Sequence, residues 1–80
     1  MPAFKSPRII DADLLDGVRR QPCAICGAPP PSDPHHIKSR AAWGPDTAAN
    51  VVALCRHHHS EIHAIGRHTF ARKYGIRWGP

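Results

Sequence analysis

Cys55-Arg56-His57-His58-His59-Ser60-Glu61-Ile62-His63 places one thiol and four imidazoles in nine residues, a density of metal-ligand atoms that packing alone does not produce. Cys55 and His58 have the C-x-x-H spacing of a zinc half-site, in which a tight turn brings both donors to one ion. His59 and His63 are four apart. On a helix that spacing stacks two side chains on one face, a single turn apart, so both can point nitrogens at a second ion. The block reads as serving two centres.

Each half-site needs partners, because a structural zinc takes four protein ligands and a catalytic one about three. Cys23-Ala24-Ile25-Cys26-Gly27 is a C-x-x-C knuckle whose glycine lets the backbone turn beneath an ion, and it completes a Cys3His site with Cys55 and His58. His57 is the alternative fourth ligand, and the spacing favours His58. His35-His36 is the remaining free pair.

Working outward, 80 residues make one small domain that buries little apolar surface and needs a staple. Three cysteines cannot all pair within one chain, and the C-x-x-C spacing fits a thiolate site better than a secreted disulfide framework, which points to a reducing cytoplasm. With no signal peptide and no apolar run near the roughly 20 residues of a membrane span, the chain is expected to be soluble and intracellular. Eleven Lys+Arg against six Asp+Glu leave +5, so a polyanion is the natural partner.

In chain order, residues 1–10 read as an extended basic arm and 11–80 as the domain. Leu14, Leu15 and Val18 recur at helical spacing between Asp11 and Arg20, with acids first and Arg19-Arg20 last, as the helix dipole favours. The proline-rich stretch from Ala28 to Pro34 is expected to be a spacer, neither helix nor central strand. His35-His36-Ile37 then predicts a short strand, residues 38–49 an irregular loop, and Val51 to Leu54 a second strand. A helix is predicted from about His57 to Ile65, closed by Gly66. Phe70 and Tyr74, four apart before Gly75, predict a last short helix packed on the zinc module. Glu61, His57 and His68 are expected at the surface, and Trp43 as a loop anchor. Lys38, Arg40 and Arg56 flank the block and can meet phosphates.

The combined order of C-x-x-C, His-His, Asn50, C-x-x-H and His-x-x-x-His resembles the HNH endonuclease family, over about residues 22–75. The sub-pattern D-P-H-H-I-x-S-R, followed by N-V-V-A-L-C-R-x-H-H-x-x-x-H, is similar to small phage and prophage members. The resemblance implies a small α+β protein with a ββα-metal (His-Me finger) core, stapled by a structural zinc and flanked by short helices. It places His35, His59 and His63 as ligands of a catalytic divalent ion, His36 as general base, and Asn50 as the residue that braces the loop orienting that base. Cys23, Cys26, Cys55 and His58 match a structural zinc site that many members build from four cysteines, so the histidine is a departure.

Phosphodiester hydrolysis needs an activated water, charge relief at phosphorus and a stabilised leaving oxygen. An ion held by three neutral imidazoles supplies the second and third and keeps positions open for substrate. A neighbouring neutral histidine takes the proton near pH 7. His36 suits that role, since adjacent strand residues point to opposite sides. The expected activity is metal-dependent cleavage of DNA, double-stranded and with low sequence specificity, in the bacterial cytoplasm. Mg, Mn, Ni and Zn all remain open as the catalytic ion. Two other outcomes are compatible with the same residues: a non-catalytic zinc-finger module that binds nucleic acid or protein, and a nuclease active only with a phage partner such as a terminase or recombinase.

Overall fold

A computed structural model describes residues 8–78. Along the chain run α1 (Ala12–Arg19), β1 (Asp33–His36), a 3-10 turn (Arg40–Ala42), β2 (Val51–Leu54), α2 (Arg56–Ile65) and α3 (Arg67–Tyr74). The architecture is small α+β, with a two-stranded antiparallel sheet and three α-helices among the described residues. None of the described helices is long and apolar enough to cross a membrane. Residues 1–7 of the expected basic arm lie outside the described residues.

The sheet pairs Asp33 with Leu54, Pro34 with Ala53, His35 with Val52 and His36 with Val51. Because successive strand residues alternate faces, Val51 and Ala53 turn one way and Val52 and Leu54 the other. Val51 and Ala53 bury against Val18 of α1, with Leu14 and Leu15 packed alongside. Leu54 buries with Cys23, Ile62 of α2 and Phe70 of α3. The hairpin is thus sandwiched between α1 and the α2–α3 pair.

The first strand begins two residues before the expected His35, so Asp33 and Pro34 belong to it and not to a spacer. A proline is tolerated there because each strand of a two-stranded sheet is an edge. Ile37, expected inside the strand, follows its last residue and still donates to Asn50 O at 2.8 Å. The helices start where local chemistry caps them. Asp11 Oδ1 accepts the Leu14 amide at 3.0 Å to open α1. Cys55 opens α2 without a side-chain cap, its sulfur being turned into a thiol cluster. Gly66, at φ 86°, separates α2 from α3, a conformation that costs any other residue backbone strain.

Phe70 and Leu54 are the largest fully buried side chains. Phe70→Ala is expected to cost about 3–5 kcal/mol and Leu54→Ala about 2–5 kcal/mol. Ile65→Ala, at a site 37% exposed, should cost far less. Denaturant unfolding of the three variants checks the order.

Candidate functional site

The knuckle is built by its own backbone. Gly27, at φ 73°, lets its amide return to Cys23 O at 2.8 Å, and the Cys23 amide closes on Ala28 O at 3.0 Å. The Ala24 amide donates to Ala53 O at 2.9 Å and docks the knuckle on β2. This brings Cys23 and Cys26 to Cys55 and His58 at the start of α2, with all four ligand atoms within 4.8 Å of one another. Cys26 Sγ and Cys55 Sγ are 3.9 Å apart, far beyond the roughly 2.05 Å of a disulfide. His58 Nδ1 lies 3.1 Å from Cys55 Sγ and 3.7 Å from Cys23 Sγ. A tetrahedral ion with metal–sulfur bonds of about 2.3 Å and metal–nitrogen bonds of about 2.0 Å sets sulfur–sulfur and sulfur–nitrogen edges at about 3.8 and 3.5 Å. The four residues therefore could hold a metal. His58, and not His57, is the imidazole in this group.

Burial opposes ionisation of Cys23, but the amides of Cys26, Cys55 and Ile25 outweigh it and bring the thiol down to about 6. The Ala28 amide favours a thiolate at Cys26, yet desolvation and the neighbouring Cys23 and Cys55 prevail and push it up. One thiolate forms readily, and its charge resists the next.

On the α2 side of the sheet, His35 from β1 meets His59 and His63 from α2, their nitrogens also within 4.8 Å of one another. The ring centroids are 5.3, 5.2 and 4.7 Å apart. His59 Nε2 and His63 Nε2 approach to 3.1 Å. Asp33, two residues before His35 and so on the same face, accepts the Nδ1–H of His59 at 2.9 Å. That contact leaves His59 Nε2 as a lone pair directed at the other two rings. Arg56 closes on the same carboxylate at 3.3 Å. Burial first, then the proximity of His59, His63 and His36, lowers His35 to about 4, so it is neutral and ready to ligate at pH 7.

His36 points to the opposite face. Its Nε2 lies 2.6 Å from Oδ1 of Asp46, a buried residue 2% exposed. Arg8 Nη1 reaches the same oxygen at 2.9 Å, and the Asp11 amide donates to Oδ2 at 3.0 Å. The His36 contact, the Asp11 amide and Arg8 together hold the Asp46 carboxyl well below the usual carboxylate range.

Asn50 ties the loop between the strands: its Oδ1 accepts the Lys38 amide at 2.8 Å, and its Nδ2 donates to Lys38 O at 3.1 Å and Pro45 O at 2.9 Å. The loop closes so tightly that a Cβ on Gly44 would stand 1.7 Å from Lys38 O. Only glycine fits there.

Asp33, Asp46 and Arg8 were not singled out in the sequence. Glu61 is bonded to Lys73 and Tyr74, which lowers its carboxyl and raises both partners. It also lies within ligand distance of His57 and His58. Trp43, expected as a loop anchor, sits in left-handed backbone at φ 69° and is 47% exposed.

The sequence of residues 1–79 matches a family described as a protein of unknown function, DUF968. The chain belongs to the DUF968 family. One relative, "Uncharacterized protein YdfU" of Escherichia coli (strain K12), is 44% identical over 61 residues. The match covers 72% of this DUF968 chain and 17% of YdfU, so the chain spans about a sixth of that relative's length. No solved structure matches it.

The two clusters are separable by metal titration. With cobalt as the probe, the thiolate-to-metal absorption band should disappear in Cys26→Ser and persist in His63→Ala, while His63→Ala should lose a second, weaker binding event. Acid should act through His35. Its folded-state value of about 4 lies below the ordinary 6.5, so the unfolded chain binds the proton first and stability falls as pH drops from 6.5 towards 4. Thermal melts across that window should show a shallower decline in His35→Asn.

Proposed function

We propose that this chain is an HNH-type, metal-dependent DNA endonuclease module with a ββα-metal arrangement formed by β1, β2 and α2. The observation that carries the reading is the division at His35-His36. His35 converges with His59 and His63, while the very next residue, His36, is sent to the other side of the strand against a buried carboxylate.

In this reading Cys23, Cys26, Cys55 and His58 hold a structural zinc, for which thiolates and one imidazole are the preferred donors. His35, His59 and His63 would hold the catalytic divalent ion: Mg, Mn, Ni or Zn. When bound, that ion supplies Lewis-acid stabilisation of phosphate charge and of the leaving oxygen. The chain's own part is orientation and proton transfer. Asp33 fixes the tautomer of His59. Asn50 holds the loop that follows His36. The imidazole of His36 accepts the proton of a water as its oxygen bonds phosphorus. The bond from phosphorus to the 3′ oxygen breaks, and that oxygen takes a proton from solvent.

DNA is the expected polyanion. A cavity of about 950 Å³ opens beside the loop and α3, lined among others by Ile37, Lys38, Asn50, Arg67, His68 and Trp78, and none of its lining residues is acidic. Ile37 directly follows His36, so the basic cavity starts where the base leaves the sheet. So small a surface favours backbone contacts over base readout, hence low sequence specificity. A bacterial cytoplasm and a phage or prophage setting follow from the same reading, as does the chance of a terminase or recombinase partner.

Supercoiled-plasmid cleavage tests it, with wild type and His36→Ala each stripped of weakly bound ion and then given Mg, Mn, Ni or EDTA. Metal-dependent cutting by wild type alone supports the enzyme. If neither protein cuts while both fold and bind DNA, the chain is a zinc-stapled binding module or works only with a partner. Lys38→Gln and Arg67→Gln should weaken DNA binding alike across sequences and each reduce the logarithmic salt slope by about 1, as titrations at several ionic strengths would show.

A further inference from the structure

The loop carboxylate behind His36 does more than close the fold. Asp46 is buried, yet its side chain makes no apolar contribution there. It is held by three donors from two segments: Arg8 and the Asp11 amide ahead of α1, and the ring of His36 on β1. Reciprocally, the Asp46 amide donates to Ile9 O at 2.9 Å, and Arg8 reaches Gly44 O at 2.9 Å. The carboxylate is therefore fixed before any substrate arrives. At 2.6 Å, an ionised oxygen and a ring nitrogen must share a proton that sits on the nitrogen.

We propose that Asp46 is a positioning residue for His36: it locks the ring as the Nε2–H tautomer and leaves Nδ1 as the atom that accepts the proton of the attacking water. This rests on the reading of His36 as the general base. Nε2 is engaged by Asp46 and cannot take a proton, so Nδ1 is the free lone pair. As Nδ1 takes the proton from water, the ring gains a charge directly against a carboxylate that is already paired and oriented, with no reorganisation of solvent. Arg8 keeps that carboxylate ionised and aimed. The segment before α1 is thereby part of the site's support.

Long-range ring nitrogen–proton NMR correlations on the full chain, wild type and Asp46→Asn, give a test that does not depend on activity. His36 in wild type should show the Nε2–H pattern, and Asp46→Asn should shift the ring towards a mixture of tautomers. In parallel, plasmid cleavage by folded Asp46→Asn should show kcat about 10- to 100-fold lower, a part of the 10²–10⁴ that a general base contributes, with KM within about twofold of wild type. A loss of packing alone would lower the folded fraction and leave the tautomer of the folded molecules unchanged. An Nδ1–H ring in wild type overturns the proposal even if Asp46→Asn fails to fold, as does an Asp46→Asn protein with unchanged tautomer and kcat. Should His36→Ala cut as well as wild type, the base assignment has failed, and the ring spectra still decide whether Asp46 sets the tautomer.

Discussion

Because neighbouring residues of a strand face opposite sides, the pairing of Asp33–His36 with Val51–Leu54 settles both the core and the site in one step. Val51 and Ala53 are committed to α1, and Leu54 to Cys23, Ile62 and Phe70. The same alternation gives Asp33 and His35 to α2 and His36 to the loop carboxylate. A slip of one residue would turn His35 into the α1 interface and Val51 onto the histidine cluster, at once an apolar and a polar penalty. Four paired positions are enough because both faces object to any other register.

So little apolar surface is enclosed that the core cannot be separated from the ligands. Cys23 is a core residue, 3% exposed beside Leu54 and Phe70, and also a member of the thiol cluster. His58 is buried against the rings of Phe70 and Tyr74 while its Nδ1 faces the sulfurs. Filling such a cluster with an ion joins the knuckle, β2 and α2 and stabilises the fold directly, since the unfolded chain presents no preformed site. Shape and chemistry are then one constraint: substituting a ligand removes a strut of the core as well as a donor.

The donors were legible in the sequence because their spacing is local. C-x-x-C, C-x-x-H and His-x-x-x-His each describe a turn or one helical turn, and three or four residues suffice to state them. The groups that orient those donors were not legible, for they come from elsewhere in the chain. Asp46 is 10 residues from His36 and 38 from Arg8, and Asp33 is 26 from His59. Pro34 read as a reason against a strand, and only a two-stranded sheet, with no interior strand, makes it acceptable. Gly44 read as ordinary loop glycine, whereas Lys38 O leaves no space for a side chain. Local pattern names the candidate donor atoms; tertiary approach decides which proton each carries.

The net charge acquires a direction from the same contacts. Of the six acids, Asp33 faces His59 and Arg56, Asp46 faces His36 and Arg8, Glu61 faces Lys73 and Tyr74, Asp16 faces Arg19, Asp11 caps α1 and Asp13 lies in its first turn. Negative charge is thus gathered behind the histidines and along the helices, and none remains in the lining of the cavity that holds Lys38, Arg67 and His68. Within the excess of +5, Lys38 and Arg67 therefore line that cavity with no acid beside them in its lining. The acids that face the imidazoles, Asp33 and Asp46, lie outside the lining of that cavity.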